Sequence, residues 1–95
     1  MAVKVIVELT AKSGRRDELR SLIEQVASRD GPVGYHGSTY YESPDDPDLL
    51  IDIADWESPE MRTTHLEEAA AAGTYGPVFE LLAGPVRATV IRRLP

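Results

Sequence analysis

The chain has 95 residues, 10 Lys+Arg against 16 Asp+Glu, a net charge of −6 and no cysteine. That length suits one small domain spanning residues 1–95, and a chain without cysteine has no disulfides, thiolate nucleophiles, iron–sulfur clusters or Cys-rich zinc sites. An acidic balance is the wrong sign for tracking a nucleic-acid backbone, and no apolar stretch approaches the ~18–20 residues of a spanning helix. The expectation is therefore a cytoplasmic protein with neither nucleic acid nor membrane as partner.

Residues 2–10 form a β-branched run that places Val3, Val5, Val7 and Leu9 on one strand face and Lys4, Ile6 and Glu8 on the other. Lys12-Ser13-Gly14 breaks the strand, with Ser13 as a candidate N-cap. Leu19, Leu22, Ile23 and Val26 then recur at helical spacing, which predicts an amphipathic helix over about 15–28. Arg29-Asp30-Gly31-Pro32 should end it. The Arg15-Arg16 pair is expected in solvent.

Two strands, about 34–42 and 49–56, flank the turn-rich Ser43-Pro44-Asp45-Asp46-Pro47-Asp48. One of Tyr40 and Tyr41 should point into an interface with a second subunit. In the later strand Leu49, Ile51 and Ile53 face one way, and Leu50, Asp52, Ala54 and Trp56 the other. Ser58-Pro59 supplies a cap and a first helical residue. The helix should run to about Ala72 and stop at Gly73, with Met61, His65, Ala69 and Ala72 turned inward. A short helix over 77–82, with Val78, Phe79 and Leu82 inward, and a last strand over 86–94 complete the chain. The aspartates of the turn lack the Gly and distal Glu of a calcium loop, so they read as a solvated turn.

The order β-α-β-β-α-(short α)-β is the split βαβ arrangement of an α+β, ferredoxin-like fold with a four-stranded antiparallel sheet. Helices there cover one sheet face. Because Leu49, Ile51 and Ile53 make the other face apolar as well, a homodimer packing sheet against sheet is expected.

Ala11-Lys12-Ser13-Gly14, Gly34, Ser43-Pro44-Asp45-Asp46-Pro47, Trp56-Glu57-Ser58 and His65-Leu66 occur in an order that resembles the antibiotic biosynthesis monooxygenase family of dimeric α/β-barrel proteins. The resemblance spans about residues 3–93. It implies a homodimer with a ligand cavity in each subunit between sheet and helices. Members include oxygenases of phenols, anthrones or quinols that use dioxygen as co-substrate and no cofactor, haem-degrading relatives, and isomerases of small molecules. By the resemblance, Trp56 lines the cavity and Asp52 stands where a substrate-contacting polar residue, Asn in some members, is found. Ala54 replaces the family's usual Glu. Val7 stands where haem-degrading members carry Asn, and no His follows His65, which weakens the haem reading.

Oxygenation without a cofactor requires a substrate that can itself pass an electron to dioxygen, such as a phenolate or carbanion. The protein must then take a proton, stabilise an oxyanion and exclude water. Asp52 and Trp56 share a strand face, and His65 lies on its helix's inward stripe, so the three are the candidate catalytic residues. His65 would act as base or shuttle, Asp52 as base or orienting group, and Trp56 as a ring face with one N–H donor. Tyr35, Arg62, Tyr75 and His36 are the candidate substrate-binding residues. Bland alternatives stand beside each role: Trp56 as core packing, His65 bonded to a backbone carbonyl, Asp52 paired with Arg87 or Arg92 across the sheet. Nucleotide-binding, serine-hydrolase and zincin motifs are missing, and two histidines on separate elements offer no metal site. The leading expectation is a cofactor-independent monooxygenase of an aromatic polyketide or quinol-like substrate. The competing readings are a cofactor-free isomerase or cyclase and a non-catalytic ligand-binding protein.

Overall fold

The computed structural model describes residues 2–28 and 32–95. Its elements are β1 (Val3–Thr10), α1 (Arg16–Ser28), β2 (Tyr35–Ser43), β3 (Asp46–Trp56), α2 (Pro59–Ala72), α3 (Gly76–Glu80) and β4 (Arg87–Ile91). The strands form one sheet in the order β2-β3-β1-β4, with every neighbouring pair antiparallel. This is the expected α+β, ferredoxin-like architecture. The expected stop at Arg29-Asp30-Gly31 lies outside the described residues.

The two-residue period of each strand sorts the sheet into two faces. Val3, Val5 and Leu9 of β1 and Leu50, Asp52, Ala54 and Trp56 of β3 are buried beneath the helices. Leu19 of α1 is fully buried and packs with Leu9, Ala11, Leu50, Val78 and Leu81. A second cluster, Val3, Val5, Ala54 and Trp56, closes the other end of the same face. The opposite face is covered less well. Ile6, Ile51 and Ile53 are half-buried, while Tyr41 and Ile91 are exposed. The total accessible surface of 6400 Å² exceeds the roughly 5,400 Å² expected for a globule of this mass.

α2 begins and ends as its residues dictate. The Ser58 hydroxyl accepts the Met61 N–H at 3.2 Å, Pro59 opens the first turn, and Gly73, at φ 68°, provides the left-handed cap. Its inward stripe is Met61, His65 and Ala69. Ala72, expected inward, is exposed at the last turn beside the cap.

Other expectations are corrected in detail. Ser13 does not cap α1: the helix starts three residues later at Arg16, and Gly14, at φ 76°, instead donates its N–H to the Asp48 carboxylate at 3.0 Å. Asp46 in turn accepts the Asp48 N–H at 3.1 Å, so β3 begins at Asp46 rather than Leu49 and these aspartates bind backbone. Arg15 is exposed beside Glu18, but Arg16 is largely covered and pairs with Glu42 of β2 at 3.1 Å. α3 starts at Gly76, one residue earlier than expected; it buries Val78, and Leu81 just beyond its end is buried too, while Phe79 turns outward. β4 is shorter than expected because its pairing with β1 runs only from Glu8↔Arg87 to Lys4↔Ile91.

Candidate functional site

Between the two buried clusters the helix-covered face of the sheet is not filled. A cavity of about 310 Å³ lies there, at the lower end of the ~300–1,000 Å³ usual for small-molecule sites. Sheet residues form its floor and α2 and α3 part of its wall. Of the seven residues expected at a site, six line it: Asp52, Trp56, His65, Tyr35, Arg62 and Tyr75. The seventh, His36, is not brought there. It is exposed and stands 3.9 Å from Glu57.

A β-bulge explains the exception. The register of β2 against β3 shifts between Tyr35 and Gly37, making His36 the extra residue. Strict alternation from Tyr35 would send Gly37, Thr39 and Tyr41 toward the helices. With one residue extruded, Tyr35, Ser38 and Tyr40 face the cavity instead, and Tyr41 faces the open side. Gly37 adopts φ 124°, a conformation that side chains oppose. Ser38 and Tyr40 were missed as site residues for this reason. The dipeptide Tyr40-Tyr41 carried the only signal, that one of the pair must turn inward.

Gly34, at φ 85°, sets β2 against α2. A Cβ there would stand 2.9 Å from the Met61 Cβ, closer than side chains pack. The Gly34 carbonyl also accepts the Glu57 N–H at 2.8 Å, which ties the start of β2 to the end of β3.

An aromatic row crosses the site. Tyr35 and Trp56 have ring centroids 5.3 Å apart, Trp56 and His65 5.7 Å, and His65 and Tyr75 5.9 Å with edge-on geometry. Trp56 is only 5% exposed, so it is core and cavity wall together. The His65 Nε2 pairs with the Tyr75 hydroxyl at 2.8 Å, and no bond from the ring to a backbone carbonyl is found among the described residues. If Tyr75 donates, the neutral ring carries its proton on Nδ1; if Nε2 donates, Nδ1 is left as a base. Burial holds the His65 pKa below 6.5, with Arg62 pushing the same way against Glu68, so the ring is neutral at pH 7.

Asp52 lies at the centre of the floor, in register with Val7 on one side and Tyr40 on the other. It is 9% exposed, and its Oδ1 has no hydrogen-bond partner among the described residues. Of the two arginines weighed as partners, Arg87 is excluded by the register. It lies opposite Glu8, on the other face of the sheet from Asp52. Burial raises the Asp52 pKa, a pull that the Ser38 hydroxyl opposes. Ser38 shares a 2.5 Å hydrogen bond with the Tyr35 hydroxyl. Burial also raises the Tyr35, Tyr40 and Tyr75 pKa values, keeping these phenols protonated as donors. Ala54, where the family resemblance leads one to expect Glu, is a small buried wall residue opposite Ser38. The site thus combines a desolvated carboxyl, a neutral imidazole and phenolic donors on apolar walls, which is equipment for proton abstraction and oxyanion stabilisation. Among the described residues, no three His, Asp or Glu side chains gather as a metal site.

Comparison with known proteins bears on this geometry. No curated protein matches the sequence. Among solved structures, a proposed antibiotic biosynthesis monooxygenase from Bordetella bronchiseptica superposes with a TM-score of 0.83 at 18% identity, over 99% of this chain and 98% of its own. SnoaB, a cofactor-independent oxygenase from Streptomyces nogalater, matches with a TM-score of 0.76 at 16% identity, over 97% of this chain and 92% of its own. The monooxygenase ActVA-Orf6 of Streptomyces coelicolor, solved with nanaomycin D, matches with a TM-score of 0.72 at 18% identity, over 99% and 88%. At these identities the likeness is one of fold. The sequence model of one family, however, matches residues 2–74, from the start of β1 through α2, and by that match the chain belongs to the antibiotic biosynthesis monooxygenase family.

Proposed function

We propose that this protein is a cofactor-independent oxygenase of an electron-rich aromatic substrate, an anthrone, phenol or quinol, and that Asp52 is its base. The single observation that carries the reading is a buried carboxyl group on the floor of an aromatic cavity, one oxygen of which has no hydrogen-bond partner among the described residues. Burying a carboxyl oxygen with no partner is destabilising, and a ligand that brings a proton there offsets the cost. SnoaB, of the same fold, is a cofactor-independent oxygenase.

For an anthrone the chemistry balances as follows. The Asp52 carboxylate takes a proton from the ring methylene, and the resulting carbanion passes one electron to dioxygen. Recombination of the radical pair forms the C–O bond of a peroxide. Loss of water from that peroxide leaves a carbonyl, so one oxygen atom enters the product and the other leaves as water. Phenol donors and the neutral His65 stabilise the developing oxyanion and return the proton, and Trp56 provides the ring face that holds the substrate. Tyr35 and Tyr75 bind at the two ends of the aromatic row. The half-covered outer sheet face supports a homodimer, its apolar strip closed by a second copy.

The experiment is oxygen uptake by metal-free protein with a panel of anthrones, naphthols and quinols, against buffer and Trp56→Phe. Uptake that depends on the protein and falls in the variant is expected. Saturable quenching of Trp56 fluorescence without uptake would instead support the isomerase or binding-protein reading, which the replacement of Glu by Ala54 favours.

A further inference from the structure

Arg62 projects from the second turn of α2, three residues before His65, and both line the cavity. Among the described lining residues it is the one permanent cation. The arginines at the start of α1 and along it are paired: Arg15 with Glu18, Arg16 with Glu42, Arg20 with Glu24. Arg62 is half-buried and takes part in none of the ion pairs among the described residues. Its charge is felt by Tyr75 and His65 beside it. A guanidinium partly withdrawn from water at the wall of a cavity, with no ion-pair partner among the described residues, is a seat for a carboxylate.

The cavity is polarised as well. The carboxyl of Asp52 lies on the floor and the guanidinium of Arg62 on the helical wall, so an anionic ligand end is repelled from the first and attracted to the second. We propose that the ligand is an aromatic acid, held with its carboxylate on Arg62 and its proton-yielding ring edge turned toward Asp52. The inference rests on the oxygenase reading for which edge reacts, but the charge preference stands on the cavity alone. Arg62 is thus a specificity and positioning residue, choosing the acid and orienting it.

The test is binding, read by quenching of Trp56, the single tryptophan. The probes are a hydroxynaphthoic acid and its neutral carboxamide, which share ring and shape. The intact protein should bind the acid about 10–100-fold more tightly than the amide, the effect of a charge-assisted pair. Arg62→Met should bring the two within about twofold of each other while leaving the amide's affinity in place, and Arg62→Lys should restore part of the preference. Equal affinities in the intact protein, a preference that survives Arg62→Met, or no quenching by either probe would overturn the inference. Because no turnover is needed, a clear preference without oxygen uptake would keep this inference and remove the oxygenase reading.

Discussion

The helix-covered face of the sheet has two ends that treat polar groups in opposite ways. At the α1 end, Leu19, Leu9, Ala11, Leu50 and Leu81 are dry, and the surrounding arginines are each matched by a carboxylate. Toward α2, Trp56, His65 and Tyr75 line a space, and the carboxyl of Asp52 and the guanidinium of Arg62, which both face it, form no ion pair among the described residues, while Asp52 Oδ1 accepts no hydrogen bond there. Within one small sheet, then, packing is complete where the fold is held and left incomplete where a ligand can finish it. A buried polar group without a partner costs about 1–3 kcal/mol, so the unsatisfied Asp52 oxygen at this cavity marks function rather than poor packing.

The largest expected break comes from the open end. Asp52→Asn keeps the shape and removes the base, and oxygen uptake should fall by about 10²–10⁴-fold. The same change should stabilise the protein at neutral pH. Burial raises the Asp52 pKa, so the folded chain keeps its proton over a window in which the unfolded chain has released it. Stability therefore declines as pH rises from about 4 through the raised value, and Asn removes that decline. Thermal unfolding should show Asp52→Asn more stable by about 1 kcal/mol at pH 7, and the advantage should vanish near pH 3.

The closed end should behave in reverse. Leu19→Ala deletes a fully buried side chain and should cost about 2–5 kcal/mol in denaturant unfolding, with quenching of Trp56 by an aromatic ligand unchanged while the protein is folded. Gly34→Ala sits between the two, since its Cβ meets Met61 and its φ is positive. A loss of about 1–3 kcal/mol is expected, together with weaker ligand binding as α2 shifts. The smallest effect belongs to the outer face: Lys4→Ala removes an exposed pair with Asp55 and should change stability by at most about 1 kcal/mol, less at high salt.

Most of the fold was legible from apolar periodicity and punctuation. The alternation of β1 and β3 and the Ser58-Pro59 start and Gly73 stop of α2 rest on local rules that tertiary packing did not override. The site was legible where it follows those rules: Asp52 and Trp56 share a face by the two-residue period, and His65 falls on the inward stripe of α2 by the helical period. It failed at β2, because a bulge is a cross-strand event, set by what β3 presents opposite Tyr35 and Gly37, and it reassigned every side chain after His36. The Arg16–Glu42 pair and the Gly14–Asp48 bond were hidden for a related reason, since each joins residues distant in the chain.

The central claim is that the buried Asp52 carboxyl on the cavity floor drives oxygenation of a bound aromatic. Turnover of an anthrone under ¹⁸O₂, followed by mass spectrometry of the quinone, tests it most directly. The account predicts one ¹⁸O atom in the product, formed at a rate that depends on the protein and is lost in Asp52→Asn. An unlabelled product, or labelling at the same rate with the intact protein, with Asp52→Asn and with buffer, would contradict it.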